Sequence, residues 1–276
     1  MSADKELPSQ KTDRLRLMRG ILAWEGSLGN TRVRELFGVG LIQASRMLRE
    51  LRDSTADALK TATRARVLVA CRPKDLKVDV TLDEYLALAK DSEANKAVLV
   101  DYRIDMTRIP PHIFAMLRQS ALDGTGLQIV YASMANPIPS PRNIFPHTLI
   151  QVGRRWHVRA WCEKREEFRD FNLGRIRDAK PIASKAPSAK TDDAEWNRTI
   201  QLHFVPHREL TPDQQLMIRE EFFRGTSGHR LTVRACMAKY VIQDLRAATD
   251  PTKQLPPEFQ LEVANAKDLH HHLFER

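Results

Sequence analysis

At 276 residues, 42% hydrophobic and 29% charged, the chain has an ordinary globular composition with room for two or three domains, and its net charge of +9 favours an anionic partner such as nucleic acid. No run approaches the roughly 18 apolar residues of a membrane span, and the N-terminus lacks a signal-peptide core, so a cytoplasmic protein with no membrane partner is expected. The three cysteines are scattered and lack a Cys-x-x-Cys spacing, which argues against a disulfide framework or a zinc site.

From Arg14, the apolar residues Leu15, Met18, Ile21 and Leu22 recur at helical spacing, and the run ends at Gly26 to Asn30. Asn30 reads as the N-cap of a second, short helix over 31–37, with Val33, Leu36 and Phe37 inward. Gly38-Val39-Gly40 then turns the chain into a third helix running from Leu41 to about Asp53. This is the order of a helix-turn-helix. On the third helix Leu41, Ala44, Met47, Leu48 and Leu51 gather on one side, and Ile42, Gln43, Arg46, Arg49 and Glu50 on the other. An outward Ile beside an amide and two guanidinium groups suits a major groove: Arg takes guanine, Gln takes adenine, and the aliphatic group touches a thymine methyl. Ser45 lies among these candidate readers, and Thr31 and Arg32, opening the second helix, are placed for a phosphate. Arg64 and Arg66 extend the candidate DNA contacts into a wing, whose two strands are expected at Val67–Ala70 and Val78–Val80. Over residues 1–80, sixteen Lys/Arg stand against ten Asp/Glu. A three-helix bundle with a solvated face is the plainer alternative for this segment.

Thr81-Leu82-Asp83-Glu84 opens another amphipathic helix, Val98-Leu99-Val100 is a strand candidate, and Pro110-Pro111 opens a helix through Leu122. Between Leu127 and Ile182 come four strand-like runs in which ten Lys/Arg stand against five Asp/Glu. Period-2 alternation in one run puts Trp156, Val158 and Ala160 on a core face, and Arg155, His157, Arg159 and Trp161 on a face that must find anions or water. Read as a strand, Arg169 to Arg175 flanks Phe171 and Leu173 with a guanidinium at each end. A linker of small and polar residues follows at 183–191, and then alternating strands and helices of a compact α+β unit.

Tyr131-Ala132-Ser133, Arg142, Pro146, Leu149, Trp156-His157-Val158, Cys162 and the run from Phe168 to Ile176 resemble, in order and spacing, the WYL domain, an Sm-like β-barrel of bacterial transcription regulators. The tripeptide that names that family stands here as Trp156-His157-Val158, a departure at two of three positions that bears on ligand choice. The resemblance implies a basic pocket for an anionic nucleotide-like or single-stranded nucleic-acid effector, for which Tyr131, Ser133, Arg142, His147, His157, Arg159, Arg169 and Arg175 are the candidates. It extends to regulators beside phage-defence operons that carry a winged helix, a WYL barrel and a C-terminal extension.

The expected architecture is therefore α+β and multidomain. It comprises a winged helix-turn-helix over 12–80, a helical linker over 81–122 suited to a dimer contact, a WYL Sm-like β-barrel over 123–183 and an α+β extension over 195–276. The expected function is that of a homodimeric repressor of a phage-defence operon, bound to a near-palindromic double-stranded operator and modulated by the effector, with no cofactor, metal or catalytic residue. One rival is an RNA or single-strand binder in which Trp156, Trp161 and Phe171 stack on bases. A weaker rival is a nucleic-acid-processing enzyme, for which no oriented nucleophile or phosphate loop is patterned.

Overall fold

The computed structural model describes residues 8–55, 58–62, 67–71, 76, 78–99 and 108–273, the side chains of 8–11 and 93–94 excepted. The fold is mixed α and β, and the chain divides into two units, Met1–Arg103 and Ile104–Arg276.

The first unit opens with α1 (Pro8–Glu25), α2 (Asn30–Phe37) and α3 (Leu41–Ser54). Gly38 ends α2 in the left-handed region (φ 64°), where its N–H reaches the Arg34 carbonyl, a conformation that is strained for residues with a Cβ. The hairpin of β1 (Leu59–Ala62) and β2 (Val67–Ala70) follows, and Leu28 bridges Leu68 to add a short third edge. The strand partner expected at Val78–Val80 is thus β1 instead, and 78–80 runs as irregular chain beside α1, where Val80 abuts Gly20. Gly29 rather than Asn30 is the N-cap of α2; Asn30 is the first helical residue, and its Oδ1 accepts from the Ser45 hydroxyl. Thr81 and Glu84 close a capping box on α4 (Leu82–Ala89), and a single turn, α5 (Glu93–Lys96), follows. Val98 and Leu99 form no strand; Val100 lies outside the described residues.

Met18, Ile21, Leu22, Val33, Ala44, Met47, Leu51 and Leu68 make the core of this unit, and α4 adds Tyr85 and Ala89 to it. Each large side chain buried here stabilises the fold by about 1.5–3 kcal/mol. The first helix of the expected 81–122 linker therefore packs into the first core.

In the second unit, α6 (Pro111–Asp123) buries Ile113 and Leu117 against a five-stranded sheet. Its strands are β3 (Thr125–Tyr131), β4 (Ser140–Val152), β5 (Arg155–Cys162), β6 (Glu167–Asn172) and β7 (Ile176–Lys185), in the spatial order β6-β5-β4-β3-β7 and all antiparallel. Among the described residues no ladder joins β6 to β7; a 3-10 turn, Leu173–Arg175, connects them. This corrects the extended reading of Arg169 to Arg175: the strand stops at Asn172, whose side chain accepts from the Gly174 N–H and starts the turn.

The chain continues through α7 (Ala194–Asn197), β8 (Thr199–Pro206), α8 (Pro212–Phe223), β9 (His229–Arg234), α9 (Ala238–Asp244), β10 (Ala247–Ala248) and β11 (Leu261–Val263). These strands form a second sheet ordered β10-β11-β8-β9, with Leu202, Phe204, Ile218, Ile242 and Leu261 in its core. Thr211 caps α8 in a capping box with Gln214.

Candidate nucleic-acid and effector sites

The outward face of α3 is the plainest surface for nucleic acid. Ile42 is 87% exposed, Arg46 and Arg49 are exposed, and among the described residues neither guanidinium is held by a carboxylate. Gln43 is half-buried beside them, and Thr31 is exposed at the start of α2. Leu41, expected inward, is 58% exposed, because the helix begins there and its first turn projects beyond the core. Ser45 is committed inside the unit by its bond to Asn30 (3.2 Å). Arg32 is paired within the unit: Glu25 takes its Nε (2.9 Å), Glu35 takes Nη1 (2.7 Å), and the Tyr85 hydroxyl donates to the same Glu25. The hydrogen bond to Glu25 raises the Arg32 pKa further, against burial and with the help of Glu35. Arg64 and Arg66 lie outside the described residues.

Of the eight residues expected at one effector pocket, His157 lines one cavity and Arg142 another. Tyr131 is buried, its ring edge-on to Phe171 (5.1 Å) and its hydroxyl accepting from the Asn172 N–H (3.3 Å). Ser133 closes a local turn, accepting from the Asn136 N–H. Arg142 lies on β4 at a cavity of about 400 Å³ that Lys164 and Arg165 also line, and its Nε is buried without a partner among the described residues. Arg169 is exposed and pairs with Glu167 (2.6 Å), while Arg175 is half-buried in the turn after β6.

The face of β5 expected to meet anions or water is covered by the protein's own residues. Arg159, 5% exposed, donates Nε and Nη2 to Asp193 (2.7 and 2.9 Å) and Nη1 to Asp170 (3.2 Å). Asp193 is only 1% exposed and also meets His147 Nε2 (3.1 Å). The Tyr240 hydroxyl of α9 donates to Asp170 (3.2 Å), and the Tyr240 ring lies 4.7 Å from that of His157. The anion expected opposite Arg159 is thus a pair of internal carboxylates, as a buried guanidinium requires.

Burial acts to raise the Asp193 pKa, but the Arg159 hydrogen bonds and charge outweigh it and hold the carboxyl below the usual range. For His147 and His157 burial dominates and lowers the pKa, against the pull of Asp193 and Asp170 respectively. Burial pushes the Cys236 thiol up to about 12. Asp193 and Tyr240 escaped the sequence reading. Asp193 carries a local N-cap signal, which it fulfils on the Trp196 N–H, but its reach to β4 and β5 is long-range.

The stacking platform of the rival reading is also occupied. Phe171 is buried, Trp156 packs edge-on to Phe114 (5.5 Å) and Trp161 to Phe168 (5.1 Å).

Residues 112–181 match the WYL domain, and residues 199–269 match the C-terminal dimerization domain of the BrxR transcriptional regulator. Over 260 residues the chain is 27% identical to the DNA-binding transcriptional repressor CapW of Pseudomonas aeruginosa, covering 90% of this chain and 87% of that protein. CapW of Escherichia coli (strain KTE188) is 26% identical over 261 residues with the same coverage, and CapW of Stenotrophomonas maltophilia 27% identical over 260.

Proposed function

We propose that this chain, which carries a WYL domain and a BrxR-type C-terminal dimerization domain and is homologous to the CapW repressors, is itself a sequence-specific DNA-binding transcriptional repressor that acts as a homodimer. The observation that carries the reading is the α3 face. An isoleucine 87% exposed beside an amide and two guanidinium groups is suited to base edges. On this reading α1 to α3 with the β1–β2 hairpin are a winged helix, and the five-stranded sheet with its turn is the WYL barrel. Two copies read the two halves of a near-palindromic operator, their recognition helices about 34–36 Å apart or a multiple of that. An anionic effector releases the DNA as far as its differential affinity for the two states allows, and a phage-defence operon is the regulated unit.

A gel-shift titration on the duplex upstream of the protein's own gene tests this, set against an unrelated duplex and a single strand of equal length at two salt concentrations. Selective duplex binding that survives the higher salt is the expected result. Equal binding to every duplex, or preference for the single strand, sinks it.

A further inference from the structure

The first turn of α3 carries a second exposed aliphatic side chain beside Ile42. Val39, just before the helix, and Leu48, further along it, pack against the core of the first unit, whereas Leu41 is 58% and Ile42 87% exposed. Periodicity alone puts Leu41 inward with Ala44 and Met47; its place in the first turn leaves it outside the core that holds them. A rotation of about 100° per residue sets Leu41 and Ile42 on adjoining strips of the outer face, and Arg46 and Arg49 follow one and two turns after Ile42.

The surroundings of this pair narrow what can cover it. Gly40, the N-cap, has no side chain, and a Cβ there would meet nothing within 4 Å, so the approach to Leu41 and Ile42 is open. The acids of α3 leave the face to its cations: Glu50 meets Arg14 (3.6 Å), and Asp53 lies at the opposite end of the helix beside Arg52 (3.4 Å). An apolar pair continued by two exposed guanidinium groups, Arg46 and Arg49, is complementary to a partner that is anionic overall and carries small apolar groups.

Duplex DNA is such a partner. Its phosphates are anionic, and the apolar group that base pairs present in the major groove is the C5-methyl of thymine. A recognition helix meets base edges with its N-terminal residues, which in α3 are Leu41 and Ile42. Consecutive Cα atoms lie about 3.8 Å apart, close to the roughly 3.4 Å between successive base pairs. We propose that Leu41 joins Ile42 as a specificity-determining residue, the pair covering the C5-methyl groups of two thymines on neighbouring base pairs in each operator half-site. Cytosine has no methyl at that position, so the pair selects thymine by an apolar contact, while Arg46 supplies hydrogen bonds further along the groove. As the readout made by the α3 face, this rests on the repressor proposed above.

Fluorescence anisotropy of the full chain tests it on the duplex upstream of the protein's own gene, prepared once with thymidine and once with deoxyuridine in its place, and on an unrelated duplex prepared both ways. Uracil pairs as thymine does and lacks only the methyl. The wild type is expected to bind the thymidine form of the upstream duplex roughly tenfold or more tighter than the deoxyuridine form, at about fourfold for each buried methyl. Leu41→Ala and Ile42→Ala should each weaken the thymidine form by about fourfold and leave the deoxyuridine form nearly unchanged. Both side chains are exposed, so the variants should keep the wild-type melting temperature, and the double variant should bind the two forms alike. Equal binding of the two upstream forms by a wild type that still rejects the unrelated duplex overturns this inference alone, as does a Leu41→Ala variant with the full wild-type preference. A wild type that favours neither upstream form over the unrelated duplex overturns the repressor reading and this inference with it.

Discussion

Arg159 shows how a single side chain can mislead a reading by periodicity. Its alternation with Trp156 and Ala160 is real, but the face it occupies is covered by Asp170, Asp193 and Tyr240 rather than open to a ligand. Removing the guanidinium strands two buried carboxylates, so Arg159→Met should cost about 3–5 kcal/mol in urea unfolding; a loss below about 1 kcal/mol would show the cluster to be solvated. His157 and His147 give the same region a pH dependence. Their folded pKa values lie below the ordinary 6.5, so the unfolded chain takes up protons first as pH falls. Stability is therefore present above the unfolded value and is lost as pH falls through the lower folded values, and His157→Phe, which keeps a ring against Tyr240, should flatten part of the decline. An unchanged slope in chemical denaturation across that range would mean His157 is not held neutral. On α3, Arg46→Ala should weaken operator binding by about 1–3 kcal/mol and relax preference at one base pair. Uniform weakening across sequences, read by fluorescence anisotropy, would make Arg46 a phosphate contact instead.

At the scale of elements, the turn between α2 and α3 sets the angle of the proposed reading helix. Gly38 holds a positive φ, yet an added Cβ there would meet nothing within 4 Å, so Gly38→Ala should cost only the backbone term, about 1 kcal/mol. Gly20 is the opposite case: its backbone is ordinary, but a Cβ would come within 2.5 Å of Val80 Cβ, so Gly20→Ala should cost more, about 1–3 kcal/mol through overpacking. Thermal unfolding of the two variants would reverse that order if Val80 moves aside freely. The capping signal at Thr81 was legible because a cap is a contact between residues three apart. The end of β6 was not legible: Asn172 breaks the strand with its own side chain, and alternation continues through Leu173 as though the strand did too.

For the whole molecule, the match to a dimerization domain over 199–269 predicts a stable homodimer in sedimentation equilibrium and a two-fold symmetric footprint on the operator. A monomer at micromolar concentration with an undivided, asymmetric footprint would exclude the paired half-site arrangement. Most helices and strands were readable along the chain, because each segment carries its own periodicity and turn residues. The intended linker was misdivided because α4 buries Tyr85 and Ala89 in the first core while α6 buries Ile113 and Leu117 under the sheet, a choice made by distant partners.

The amino-acid sequence by itself determined the first three helices, the basic balance, the outward Ile42, Arg46 and Arg49 of α3, and the motif residues from Tyr131 to Ile176. All of these depend on neighbours within a turn or two of helix or strand. Only the tertiary structure decided which cations are neutralised inside the protein. Arg32 and Arg159 are taken up by carboxylates seven and thirty-four residues away. The physical reason is that a buried charge must find its counter-charge in space, and sequence separation does not measure that distance.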